Sequence, residues 1–248
     1  MSLTNRSAIV TGGGGFLGWA IASRLREEGC RVVVLDRDSD ALARFGADQG
    51  IVGLVCDLAD AHSVERTLSE AWERVGPVSI LVNAAGFIHS APLIDITGAR
   101  DRRDAIGAWR KVIDDNLTSV FLTTMNSVER MVSTRTRGVV ISISSVAAAG
   151  NAGQGAYSAA KAGVNAVTRA WAKELGPLGI RFVAVAPGFI DTPTTHAALE
   201  GPLLKEWVRR TPLRRLGSVE SVTSAVLFAA MDEHVTGTVI EVDGGLTL

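Results

Sequence analysis

Seven short runs rich in β-branched residues constrain the fold of this chain more than any other feature. They are SAIVT (7–11), RVVVLD (31–36), IVGLVCD (51–57), SILVNAA (79–85), GVVISISS (138–145), IRFVAVAP (180–187) and TVIEV (238–242). Each is almost wholly apolar where a half-exposed strand would alternate, the pattern of strands covered on both faces of a parallel sheet. Parallel neighbours need crossovers. Helical patterns closed by glycine or proline lie between the runs: Phe16 to Glu28 before Gly29, Ala61 to Val75 before Gly76 and Pro77, and Tyr157 to Leu175 before Gly176 and Pro177. Repetition of strand, helix, strand predicts right-handed βαβ units, hence an α/β, doubly wound, mostly parallel seven-stranded sheet with helices on both faces. One domain of that kind accommodates all 248 residues.

Two segments break the rhythm. Residues 86–132 are too many for one crossover, and 188–218 carry Pro193, Pro202 and Pro212 around a short amphipathic pattern. Ligands of open α/β sheets sit at the carboxyl ends of the strands, so an insertion after the sixth strand is expected to act as a lid or substrate loop. Charge excludes other roles: 25 Lys+Arg against 26 Asp+Glu leave no electrostatic footprint for nucleic acid or anionic membranes. No run of about 18 apolar residues occurs, and the first residues lack a stretch of signal-peptide length. Cys30 and Cys56 have no CxxC spacing and read as small core hydrophobes, so a cytoplasmic, reducing setting is expected. The four histidines never reach ligand spacing, and no metal is expected.

Three constellations carry chemistry. TGGGGFLG (11–18) joins the first strand to the first helix, where glycine lets the backbone approach a pyrophosphate held by free N–H groups and the helix dipole. Asp36 ends the second strand, eighteen residues past Gly18, placed to accept hydrogen bonds from ribose hydroxyls and to repel a 2′-phosphate. That favours NAD over NADP; the neighbouring Arg37 is the one feature suited to a 2′-phosphate. Tyr157 is the only tyrosine, and Lys161 follows it at i+4 on the same helix face, where an ammonium favours the phenolate. Ser144, thirteen residues before Tyr157, lies at the end of the fifth strand beside Ser142 and Ser145 and is the hydroxyl expected to polarise a substrate oxygen.

With these motifs the chain resembles the short-chain dehydrogenase/reductase family, of the single-domain type with about 250 residues. The matching residues run in family order: the Gly-rich turn, Asp57 with Leu58, NAAG (83–86), Asn116 in DDNLTSVF, Ser144, YSAAK (157–161), PGFIDTP (187–193) and VDGG (242–245). The resemblance implies a Rossmann-like fold and four catalytic positions. Tyr157 is the general acid/base, Lys161 the residue that binds the nicotinamide ribose and lowers the phenol pKa, Ser144 the oxyanion-side donor, and Asn116 the holder of a relay water. It further implies a cofactor site of Gly12, Gly15, Phe16, Leu17 and Gly18 at the pyrophosphate and Asp36 and Arg37 at the ribose. Cys56, Asp57 and Leu58 would lie by the adenine, Asn83, Ala84, Ala85 and Gly86 along the adenosine, and Pro187, Gly188, Ile190 and Thr192 around the nicotinamide. One position departs: the family's TGxxxGxG here has Phe16 at its second glycine, which bears on cofactor affinity.

The expected function is hydride transfer between NAD and a secondary alcohol or ketone, a small molecule lodged against Ser144, Val146, Ala147, Gln154, Tyr157, Phe189, His89 and His196. A 3-oxoacyl-[acyl-carrier-protein] reductase, often NADP-linked, is the alternative; of the two basic residues such enzymes use to dock the carrier, Arg135 matches one and Leu178 stands at the other. A non-catalytic NAD-binding sensor or structural subunit is the alternative of another class. The resemblance also implies a homo-oligomer, tetramer or dimer, built on the long helices and the C-terminal strand.

Overall fold

The structure is a computed structural model and describes residues 2–46, 50–94, 101–199 and 201–248. Seven strands form one sheet: β1 (Ser7–Thr11), β2 (Arg31–Asp36), β3 (Val52–Val55), β4 (Val78–Asn83), β5 (Gly138–Ile143), β6 (Ile180–Pro187) and β7 (Thr238–Val242). Their order is β3-β2-β1-β4-β5-β6-β7, and every pairing is parallel. The chain runs outward from β1 through β3, then returns to start β4 on the other side of β1. That reversal opens a crevice at the carboxyl ends of β1 and β4, where such sheets bind ligands.

Side chains alternate across the sheet and so feed two cores. On one face Ala8, Val10, Val32, Val34, Ile80 and Val82 pack with Ile21 and Leu25 of α1 (Phe16–Glu27) and Val222 and Val226 of α9 (Val219–Met231). On the other face Ile9, Val33, Leu35, Leu81, Val140 and Phe182 meet Val64 and Leu68 of α3 (Ala61–Val75) and Val128 and Met131 of α5 (Ser119–Ser133). Burial on both faces accounts for the continuous apolar runs. Trp171 of α6 (Gly155–Leu175) lies with its ring 5.9 Å from that of Phe182, and so takes part in this second core.

Several boundaries differ from the sequence expectation. β3 keeps only four residues, β5 stops at Ile143, two residues before the end of its apolar run, and α6 starts at Gly155, two residues before Tyr157. The long insertion after β4 holds α4 (Arg102–Ile113), a π-helical turn over Asp114–Thr118, and α5. The second insertion, between β6 and α9, holds α7 (Pro193–Ala198) and α8 (Pro202–Arg210). A helix α2 (Ser39–Gly46) follows β2. No helix among the described residues is long and apolar enough to cross a membrane.

The first crossover packs backbone on backbone. A Cβ at Gly18 would stand 2.1 Å from the Gly12 carbonyl oxygen, whereas one at Gly107, inside α4, would meet nothing within 4 Å. Gly18→Ala is therefore expected to destabilise the protein by about 3 kcal/mol, and Gly107→Ala to stabilise it by about 0.5–1 kcal/mol. Urea titrations with an unchanged m-value test both.

Candidate active site

The crevice is framed by the turn after β1 and the turn after β4. Gly12 has φ +71°, and a Cβ on it would lie 2.7 Å from Ala85 Cα, so the two turns touch through backbone. Thr11 Oγ1 ties them by accepting from the N–H groups of Ala84 and Ala85, at 3.1 and 3.2 Å. α1 starts beyond Gly15, with no side-chain cap on its first N–H groups and no acidic residue in its first turn. Open donors at the positive end of a helix suit a diphosphate. Asp36 stands beside this turn, its Oδ2 accepting from Gly14 N–H at 2.9 Å and its Oδ1 from Asp38 N–H at 3.0 Å. It is half-buried, while capping of α2 falls to Asp38, which accepts from Asp40 and Ala41. A glycine-rich turn, an uncapped helix start and a strand-end carboxylate fit a dinucleotide.

At the next strand ends a phenol, an ammonium and an amide come together. Tyr157, in the first turns of α6, is buried against Ala147, Val112 and the half-buried Phe87 and Leu248. Lys161, one turn on, is buried as well; its Nζ donates to the Ile143 carbonyl at 2.8 Å and lies 5.6 Å from the Tyr157 ring centroid. Asn116 is completely buried on the π-helical turn, of a kind frequent at functional sites. Its Nδ2 donates to the Phe87 and Val112 carbonyls, both at 3.0 Å, and its Oδ1 accepts from Phe87 N–H at 3.2 Å. Gly86 fits between the two: a Cβ there would lie 2.6 Å from Asn116 Oδ1 and 3.3 Å from Lys161 Nζ.

The serine is where structure and sequence expectation part. Because β5 ends at Ile143, the next two residues turn opposite ways. Ser144 is buried, and its Oγ donates to the Lys161 carbonyl at 3.3 Å. Ser145 is half-buried, caps the 3-10 turn Val146–Ala149 by accepting from Ala147 N–H at 3.1 Å, and hydrogen-bonds the Tyr157 phenol. The hydroxyl at the phenol is thus Ser145, one residue beyond the serine expected.

Other expected site residues divide. The side chain of Asn83 is turned inward, donating to Thr124 and Ser142 and accepting from Thr123, so it fastens β4 to α5 and β5 instead of reaching into the crevice. Cys56 and Ile190 are core side chains. Asp57 and Leu58 follow β3; Asp57 is exposed and accepts from Ala59 N–H. Pro187 ends β6, Gly188 abuts Asp243, and the Thr192 hydroxyl caps α7. Gln154 ties the start of α6 to the turn after β4 by donating to Ser90 Oγ at 3.1 Å. His196 pairs with Asp191 at 2.6 Å on the exposed face of α7, and the ring of His89 lies 6.1 Å from that of Phe87. The Phe189 ring lies 4.8 Å from that of Trp207 on α8. Phe16 is half-exposed at the start of α1, bordering a groove of about 340 Å³ with Trp19, Asp191 and Ser218. Among the described residues no group of His, Cys, Asp or Glu is placed to hold a metal ion.

Comparison with known proteins adds to this geometry. The family model described as enoyl-(acyl carrier protein) reductase matches residues 15–247. A solved structure titled short chain dehydrogenase/reductase family protein superposes with a TM-score of 0.83 at 32% identity, covering 99% of this chain and 98% of that one. The chain belongs to the short-chain dehydrogenase/reductase family. The 3-oxoacyl-[acyl-carrier-protein] reductase MabA of Mycobacterium avium is 37% identical, over 99% of this chain and 91% of its own. The (3R)-3-hydroxyacyl-CoA dehydrogenase of Canis lupus familiaris is 34% identical, over 99% and 98%. The family is one of oxidoreductases that bind nicotinamide cofactors, and this short-chain dehydrogenase/reductase is an oxidoreductase.

Burial sets the charges at its centre. Desolvation pushes the Tyr157 phenol up, and the Ser145 hydrogen bond works against it. The same desolvation pushes Lys161 down from 10.5 to about 8. The Lys161 ammonium is turned to the Ile143 carbonyl, and burial sets the direction of the phenol's shift. The folded chain releases the Lys161 proton near pH 8 and the unfolded chain only near 10.5, so the charged form costs stability below about 8 and stability is regained as the pH rises between these values. Removing the amine by Lys161→Met should flatten that rise. Denaturant titrations of both proteins at pH 7.5 and 9.5 test it, and an equal rise in the variant would contradict it.

Proposed function

We propose that this protein interconverts a ketone and a secondary alcohol with a nicotinamide cofactor, and that its substrate is a 3-oxoacyl thioester or the matching 3-hydroxyacyl thioester. One observation carries the chemistry: the only phenol of the chain is buried with a hydroxyl hydrogen-bonded to it and a buried amine one helical turn away. The cofactor, when bound, supplies or accepts the hydride. Tyr157 Oη gives its proton to the carbonyl oxygen in reduction and takes one from the alcohol in oxidation. Ser145, in place of Ser144, donates to the same substrate oxygen. Lys161 hydrogen-bonds the ribose and keeps positive charge behind the phenol, and Asn116 fixes the backbone at Phe87 so that a water can reach the lysine. The relatives support the thioester reading, since 3-oxoacyl-[acyl-carrier-protein] and 3-hydroxyacyl-CoA name the oxidised and reduced sides of one reaction.

For the cofactor we infer NAD. Asp36 sets a half-buried carboxylate where a 2′-phosphate would lie, and Arg37, the one cation suited to that phosphate, lies 3.8 Å from the Asp115 carboxylate, which Lys111 holds at 2.8 Å. Segment 188–218 acts as the substrate lid.

Tyr157→Phe should lower kcat by about 10²–10⁴-fold in NADH oxidation with a 3-oxoacyl thioester. Ser145→Ala should lower it by roughly 10–100-fold, while Ser144→Ala should change stability by about 1 kcal/mol and leave turnover nearly intact. The reverse order of the two serines would overturn the assignment. Titration calorimetry should find NADH bound more tightly than NADPH, and Asp36→Ser should shrink the difference by about tenfold.

A further inference from the structure

We propose that the lid helix α8 and the turn after it form a binding site for the phosphates of a coenzyme A thioester. The inference rests on the thioester reading above and adds which carrier the acyl group rides on. Lys205, Arg209, Arg210, Arg214 and Arg215 lie within eleven residues, against one acidic residue, Glu206, whereas the rest of the chain carries 20 Lys+Arg against 25 Asp+Glu. All five are exposed, and no carboxylate of the described residues lies within ion-pair distance of any of them. Lys205 and Arg209 are one helical turn apart, so they repel each other on the same face of α8. Unpaired like charges in that arrangement are relieved by an anion brought from outside.

The patch is held in place. The Arg210 guanidinium lies 4.4 Å from the Trp207 ring centroid, and Trp207 in turn packs on Phe189 at the end of β6. Beyond α8, Leu213 N–H donates to the Gly244 carbonyl and Arg214 N–H to that of Thr211, which keeps Arg214 at φ +54°. Arg214 also donates to the Arg209 carbonyl, joining the turn to the end of the helix. A cationic surface therefore sits one aromatic pair away from the segment that leaves the carboxyl end of β6. An extended thiol arm spans that interval, with the acyl group among Ala147, Val146 and Phe189 and the phosphates on the arginines. Nine helical residues make a platform about 13 Å long, the scale of a nucleotide. The opposite flank, where a carrier protein would need a second cation, presents exposed Leu178.

The test compares one acyl group on two carriers. Acetoacetyl-CoA and acetoacetyl-N-acetylcysteamine share the ketone and thioester, but only the first bears phosphates. In Lys205→Gln/Arg209→Gln/Arg215→Gln, KM for acetoacetyl-CoA should rise roughly tenfold, well beyond any change in KM for the truncated thioester. Calorimetry with free coenzyme A, independent of turnover, should give the same loss, and added salt should weaken binding to the wild type. Failure of wild-type protein to bind coenzyme A, or equal KM changes for both substrates, overturns the inference. A loss confined to an acyl-carrier-protein thioester overturns it too and assigns the patch to an acidic protein. Turnover of neither thioester, with coenzyme A still bound, defeats the proposed substrate and leaves the phosphate site standing.

Discussion

The carboxyl ends of β1 and β4 are joined by one hydroxyl and one missing side chain. Thr11 Oγ1 accepts from two successive N–H groups of the facing turn, and Gly12 lets that turn approach to backbone contact. Everything functional depends on that junction. It opens the crevice, aims the start of α1 into it, and brings Gly86 alongside Asn116 and Lys161. A side chain at Gly12, Gly18 or Gly86 would collide with backbone or with the buried Asn116 amide, so the glycines in this region are required by contact as well as by conformation.

Around the junction the protein trades stability for charge control. Lys161 is a cation in a dry site whose one hydrogen bond from Nζ goes to a strand-end carbonyl, and its reduced proton affinity follows from the desolvation. The phenol is shifted the opposite way by the same burial, so two groups of nearly equal ordinary proton affinity are driven apart, with the phenol the more firmly protonated of the two.

The sheet, its parallel sense and the position of the crevice were legible in the sequence, because strands buried on both faces leave unbroken apolar runs and crossovers leave glycine and proline at their ends. Tyr157 and Lys161 could be paired for a similar reason, since spacing along a helix is close to spacing in space, whereas Asn116, on a separate turn, was placed only by the family resemblance. Ser145 could not be separated from Ser144 in the same manner. The two are adjacent, and which one turns toward the phenol depends on β5 ending at Ile143, a tertiary outcome of its pairing with β6. Asn83, Cys56 and Ile190 lie in motifs that surround the crevice, yet their side chains point into the protein; motif membership locates the backbone and says little about direction. The cations of α8 were visible as letters, but the absence of a carboxylate partner among the described residues appears only in three dimensions.

The mouth of the crevice has two unlike walls. On one side Gln154 bonds Ser90 and the Gly153 carbonyl accepts from Ala91 N–H, so the start of α6 and the turn after β4 are laced together. On the other side α8 contributes no buried residue and leans on the frame through Trp207. Substitutions on that helix disturb little of either core and leave the proton-transfer groups where they are. On the proposed reading of α8 as a recognition surface, a lineage carrying this frame can change what it recognises by drift in nine residues, and such separation of catalysis from recognition makes the enzyme evolvable on one wall only.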